Sequence, residues 1–502
     1  MMPMSLKGSD HKTLRTEVSQ LGNGTILSPK RGKRRLVAVA LIVVLVLVSS
    51  AFALSYEIDI ENLVKGVVPV WRYRTDGWVN AVAISSDGRY IAAGSWEIGS
   101  IPQEVGKVFL FTQESEKPLW SHTTSGGVES LVLSSDGRYI VAADWNSYVS
   151  RVYLFDRESP TPLWTYETDG GVFYSSSLAI SSDGAYAAAG INYGSQFFVF
   201  GRDSSTPIWS HDMGGDNYDV RVAVSPDGMY VAAASKRVSL FRRDTGQLLW
   251  SYETEYRVDS ISFSLDGRYL VAGGRIGTVF VLDRDSGSLF WSYETGEPST
   301  IGVGSGSSVS ISSDGRYVLT GNLRDPYGHE GDEVFLLSID AKALLWSYKT
   351  GNRPGDLDTY SSAISSDSNY VVVGGRDGRV HLLSRESGTP LWTYRTSGEV
   401  VSVSISSDGR HAVFGDTDGW LCLLNREMTS SPLFSFVIPI AGLVILATVS
   451  LLFARKLRSR NRAPGVHRIS AWKQCQECRA KLPRDAAFCD ACGARQPREL
   501  AP

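Results

Sequence analysis

The sequence predicts an all-β fold, an eight-bladed β-propeller of four-stranded blades closed by pairing of the two chain ends. Three observations lead there. A Ser-Ser-Asp-Gly-Arg-Tyr stretch at 85–90 recurs, with drift, around Asp136, Asp183, Asp227, Asp266, Asp314, Asp367 and Asp408. A Trp in an apolar tripeptide alternates with it, at Trp71, Trp120, Trp164, Trp209, Trp250, Trp291, Trp346 and Trp392. The Asp residues follow one another at 49, 47, 44, 39, 48, 53 and 41 residues, the period of a solenoid, propeller or array.

Each unit reads as four short strands. In the first, residues 79–85 are rich in β-formers and alternate, which makes them strand a. Residues 86–89 are a turn, since Asp bonds nearby backbone and Gly supplies a positive φ. Residues 90–94, 107–111 and 118–122 then form strands b, c and d. The fifth unit repeats this order from Ser260 to Tyr293. At the front of the array, residues 69–73 form a strand d with no a, b and c before it. The last unit, 401–425, has no strand d after it. Pairing the two completes the eighth blade and removes an exposed edge. The propeller therefore spans 66–427.

The flanks are of another kind. Residues 1–35 read as a disordered basic tail, with eight Lys/Arg against two Asp/Glu. An apolar run of 19 residues follows at 36–54, long enough to cross a bilayer. It is read as an uncleaved anchor, and a signal peptide cut near Ala51-Phe52-Ala53 is the alternative. Either way the following chain is exported. A second run at 433–453 is followed by Arg455, Lys456, Arg458, Arg460 and Arg462, opening a basic linker at 454–470. Basic residues on the outer ends of both runs predict cytoplasmic termini and an extracytoplasmic propeller at the plasma membrane.

The formal net charge of −3 hides an asymmetry. Residues 455–502 hold twelve Lys/Arg and four Asp/Glu, so subtracting both ends from the totals of 50 and 53 leaves 30 basic against 47 acidic. A middle of net charge −17 excludes nucleic acid as its ligand, because phosphates are repelled.

Two segments carry a resemblance. Ala223-Val224-Ser225-Pro226-Asp227-Gly228 is similar to WD-repeat proteins. Leu289-Phe290-Trp291-Ser292-Tyr293-Glu294-Thr295-Gly296 resembles the tryptophan-docking repeat of quinoprotein (pyrroloquinoline-quinone) propellers. The resemblance covers about 66–427 and implies the propeller fold. The Trp-Asp dipeptide of WD repeats is absent from strand c, where this chain has Leu-Phe or Leu-Leu. Quinoprotein dehydrogenases carry an adjacent Cys pair, and here the propeller holds only Cys422. That absence counts against a quinoprotein-like oxidoreductase, which stays as one alternative function. A loop-based hydrolase and a surface assembly factor are the others.

The sharpest chemical signal lies at 471–497. Cys475-x-x-Cys478 is followed ten residues later by Cys489-x-x-Cys492. Two such knuckles supply four thiolates for a tetrahedral Zn2+, a closed and therefore structural site. Two redox-active pairs are the competing reading. The segment resembles the short zinc ribbons at the ends of bacterial and archaeal membrane proteins. It departs from them at Arg479, where Gly is frequent, and that turn is expected to be less regular.

For the propeller, variation says more than repetition. The eight Trp and eight Asp recur in every unit, which predicts packing and turn roles. The a–b and c–d turns are short and alike. The b–c and d–a connections share the opposite face and differ greatly, as a binding face does. Its candidate contacts are Trp96, Trp145, Tyr148, Tyr174, Tyr193, Tyr218, Asp325, Tyr327, Asp332, Asp356 and Tyr360. Rings and hydrogen-bonding groups suit a protein, peptide or carbohydrate ligand. His122 and His211 follow the strand-d Trp and read as packing residues. The favoured function is non-catalytic binding or scaffolding.

Overall fold

The computed structural model describes residues 67–97, 105–146, 149–168, 177–191, 195–214, 219–274, 277–295, 309–322, 333–350, 359–427, 472–483 and 486–496. They belong to two compact units, 1–428 and 429–502. The predicted tail, both apolar runs and the basic linker lie outside the described residues. Among the described residues no helix is long and apolar enough to cross a membrane.

The repeated turn is a small hydrogen-bonded device. Ser85 Oγ donates to Asp87 Oδ1 at 2.6 Å, and the Arg89 N–H donates to the same oxygen at 3.0 Å. The Tyr90 N–H donates back to Ser85 Oγ at 3.0 Å. The Ser-to-Asp bond recurs at Ser134, Ser181, Ser225, Ser264, Ser312, Ser365 and Ser406. Gly88 takes φ +74°, which a Cβ opposes. In the seventh unit Ser368 accepts φ +63° at the corresponding position. These carboxylates are consumed by the turn, as their regularity predicts.

Among the described residues, eight four-stranded antiparallel sheets result, beside one two-stranded sheet in the C-terminal unit. The first blade is Trp78–Ile84, Tyr90–Glu97, Val105–Thr112 and Trp120–Thr124. Strand a of each blade packs on strand a of the next, and the eighth, Val400–Ile405, touches both the seventh and the first. The sheets therefore close into a ring. Serines clip the inner strands together. The Val82 N–H donates to Ser402 Oγ at 3.1 Å, and the Val403 N–H to Ser361 Oγ at 3.1 Å. The last blade takes its outer strand, Trp71–Arg74, from the start of the chain and pairs it with Trp420–Asn425, Trp71 opposite Leu423. This is the closure the sequence predicts.

The core lies between blades. Leu110 of the first blade and Ile140 of the second are both fully buried in one cluster. On the outer strand, the indole of the strand-d Trp locks seven of the eight blades to the next. Trp120 Nε1 donates to the Arg157 carbonyl at 2.7 Å, and Trp164 Nε1 to the Arg202 carbonyl at 2.8 Å. Trp71, Trp209, Trp250, Trp346 and Trp392 do the same on their neighbours. The Trp209 ring lies so close to Gly246 that a Cβ there would stand 2.9 Å from Cδ2. The Arg that accepts the indole also reaches back. Arg157 stacks over Tyr90 at 4.3 Å and Arg243 over Tyr186 at 3.6 Å, cation–π contacts between blades. Where the sixth blade carries buried Ile339 in place of this Arg, no indole bond from Trp291 is found among the described residues.

One buried group makes the ring pH-sensitive. His381, on Arg379–Ser384, sits where other blades place Phe109, Phe198 or Phe335. Its Nδ1 is 3.2 Å from Tyr348 Oη of the sixth blade and 3.0 Å from Thr393 Oγ1. Burial pushes its pKa down to about 4, while Asp377 pulls up and Arg379 pulls down. A depressed folded pKa means that its contribution is fully present above about pH 6.5 and is lost as pH falls toward 4. The full cost of charging it is about 3 kcal/mol. His381→Phe should remove that component from urea-unfolding stability measured between pH 7 and pH 4.

Candidate functional site

Antiparallel strands bring the end of b, the start of c, the end of d and the start of a to one face. In the first blade Trp78 lies opposite Trp96, Trp96 opposite Gly106, and Gly106 opposite Thr124. Polar side chains tie these connections down. Thr254 Oγ1 donates to the Lys236 carbonyl at 2.6 Å, and Thr295 Oγ1 to the Gly277 carbonyl at 3.0 Å. Asp144 accepts from the Ser125 and Gly126 N–H groups at 2.9 and 3.0 Å and from Tyr153 Oη at 2.8 Å. Asp416 accepts from Thr396 Oγ1 and from the Trp420 N–H. Burial raises the pKa of both carboxyls against these donors. They hold the scaffold of the face.

Three tryptophans form a row here. Trp78 meets Trp96 edge-on at 6.1 Å, and Trp96 meets Trp145 edge-on at 6.3 Å. Trp78 is exposed, Trp96 half-buried and Trp145 buried. Trp96 Nε1 is buried with no hydrogen-bond partner among the described residues. Beside Trp78 opens a polar cavity of ≈ 600 Å³ lined by Arg74, Thr75, Asp76, Gly77, Trp78, Thr417 and Asp418. Lys107 bridges Asp76 at 2.9 Å and Glu97 at 2.7 Å, and the Glu97 hydrogen bond raises its pKa. Across the ring, Arg257 joins Asp219 and Asp259, each at 2.7 Å.

Of the eleven candidate contacts, Trp96 and Trp145 fall in this row. Tyr148, Tyr174, Tyr193, Tyr218, Asp325, Tyr327, Asp332 and Asp356 lie outside the described residues. Tyr360 belongs to the strand Thr359–Ile364. Sequence reasoning missed Trp78 and the cavity. The d–a connection before Trp78 is short, so it lacked the length that marks a variable loop. His122 meets Phe155 edge-on at 5.1 Å, His211 lies tilted against Phe241 at 4.8 Å, and burial lowers both pKa values. Both occupy packing positions.

The C-terminal unit gathers Cys475, Cys478, Cys489 and Cys492, whose ligand atoms all lie within 4.8 Å of one another. The two knuckles match. The Arg479 N–H donates to the Cys475 carbonyl at 3.0 Å, and the Gly493 N–H to the Cys489 carbonyl at 2.7 Å. Arg479 takes φ +61° where Gly493 takes φ +73°. The first turn is therefore as regular as the second, contrary to expectation; Arg479 accepts the left-handed backbone that its position demands. Backbone N–H groups of Cys478 and Glu477 bring the Cys475 pKa down to about 6. Gln496, buried, donates Nε2–H to Cys475 Sγ at 3.1 Å. Four sulfurs so placed, with one favoured as thiolate, are a set able to hold a metal ion.

Comparison with known proteins agrees with this architecture. The family model described as outer membrane protein assembly factor BamB matches residues 198–359 and 331–428. The WD domain, G-beta repeat model matches residues 68–97. The chain is an eight-bladed propeller whose repeats are similar to those of both models. The crystal structure of Sqt1 from Chaetomium thermophilum aligns at TM-score 0.57 and 15% identity, over 72% of this chain and 99% of that one. The computationally designed Ika8 protein aligns at TM-score 0.53 and 18% identity, over 70% and 97%. A search of curated proteins gives no match. At these identities the structural likeness speaks for the fold.

Proposed function

We propose that the propeller is a non-catalytic binding and scaffolding module for a protein partner. It is held outside the plasma membrane by the two apolar runs, and a structural zinc ribbon lies on the cytoplasmic side. The repeated side chains support this reading most. All eight turn Asp are committed to turns, and seven of the eight Trp dock on the next blade. Blade-to-blade differences collect on the b–c and d–a face, with its exposed Trp78 and polar cavity. Exposed aromatics beside hydrogen-bonding groups are what protein interfaces use as anchors. Partner capture by the full chain should fall at least tenfold in Trp78→Ala with Asp418→Ala, while thermal stability is kept. Undiminished capture would reject this face.

For the ribbon, Cys475, Cys478, Cys489 and Cys492 would hold Zn2+, and Gln496 would orient Cys475. Zinc supplies the cross-link that so small a unit needs to fold. Elemental analysis of purified chain should find about one zinc, the content of a single four-thiolate site. Cys475→Ser should lose it and make residues 472–496 protease-sensitive, with the propeller's melting unchanged.

A further inference from the structure

The a–b and c–d turns share the other face of the ring. In each blade the residue after strand c donates its N–H into the a–b turn region, as Arg157 does to Arg138 and Arg426 to Arg410, both at 2.7 Å. Both ends of the described propeller leave on this side. Val67 precedes an outer strand that starts at the c–d edge, and Glu427 follows an inner-to-outer strand that ends there. Val67 is buried against Trp392 and Tyr394, which fixes the entry point.

The same edge carries a repeated apolar feature. The residue just before the strand-d Trp is exposed in seven of the eight blades, from Leu249 at 41% to Leu119 at 54%, and half-buried in the other, at Phe290. Scattered exposed leucines need no explanation. One at the same height in blade after blade is different. Spaced points in a ring do not make a groove for a helix or a peptide. They match a plane, and the plane available to an anchored ring is a lipid surface.

Chain length supports the same occupant. The apolar run at 433–453 begins six residues after Glu427. Six residues reach roughly 20 Å at full extension. We infer that the a–b/c–d face lies against the bilayer, with the rim leucines at headgroup level and the variable face turned away from it. This rests on the membrane reading above. It explains why the departures between blades gather on the face a soluble partner can approach.

The test uses the full chain in liposomes, with single exposed rim positions compared with the opposite face. Leu119→Cys and Leu391→Cys should react with a bulky, membrane-impermeant maleimide at least tenfold more slowly than Thr417→Cys. Detergent should bring the three rates together. A chain that does not float with liposomes would overturn the membrane reading and this inference with it. A chain that floats, but labels at Leu119→Cys as fast as at Thr417→Cys, would overturn this inference alone. Equal melting temperatures of the three variants would confirm that each is folded.

Discussion

Deleting residues 67–74 should open the ring and lower the propeller's stability by roughly 5 kcal/mol or more, on the scale of a whole domain's margin. The loss has three sources. Trp71 is 7% exposed and stacks on Phe111 at 5.3 Å. Tyr73 meets Phe109 and Phe111 edge-on at 5.6 and 5.1 Å. Trp420–Asn425 becomes an unpaired edge, with Leu421 and Leu423 no longer covered. An open apolar edge also invites association between chains. Chemical denaturation and light scattering of the truncated chain will read both effects. Moving the same eight residues to follow Glu427 through a short turn should restore the stability, since the pairing partner is Trp420–Asn425 whichever end supplies the strand. A permuted chain as unstable as the truncated one would show that the closing strand acts through something other than its pairing.

Trp164→Ala should cost about 3–5 kcal/mol, the usual loss for a large buried aromatic. Its ring is 9% exposed and lies 5.2 Å from Phe200, and its indole N–H is spent on the Arg202 carbonyl. Removing it also leaves that carbonyl without its donor. Trp291→Ala is the internal comparison. Trp291 is half-buried, and the described residues offer its N–H no partner, so the cost should be smaller by at least about 1 kcal/mol, the net worth of one hydrogen bond. Equal costs at the two positions would mean that docking on the neighbouring turn contributes nothing beyond area. Urea unfolding followed by circular dichroism measures both.

Much of this architecture is legible from local chemistry. A Ser-x-Asp-Gly turn closes within six residues, so each copy announces itself wherever it stands. The Trp of strand d is equally local, and counting the two together predicts the eight blades and the blade shared by the chain ends. Two Cys-x-x-Cys knuckles likewise declare a ligand set, because each knuckle's geometry is set by four or five residues. The Arg479 expectation failed for a related reason. Residue preference says that Gly favours a positive φ, yet the backbone hydrogen bonds of the knuckle enforce +61° on Arg479 as well.

What the sequence by itself determined, then, is the repeat, its turns, its closure and the cysteine set, all products of short-range bonding. Only the tertiary structure decided which distant residues share a surface. Thr75 Oγ1 and the Gly419 carbonyl are bonded at 3.1 Å across 344 residues, and the cavity beside Trp78 exists only because the ring closes there. The row of Trp78, Trp96 and Trp145, the His381–Tyr348 contact and the Arg–Tyr clamps all join one blade to the next or one connection to another. Such contacts depend on the angle between packed sheets, which no single repeat encodes and which the closed ring of eight sets for all of them at once.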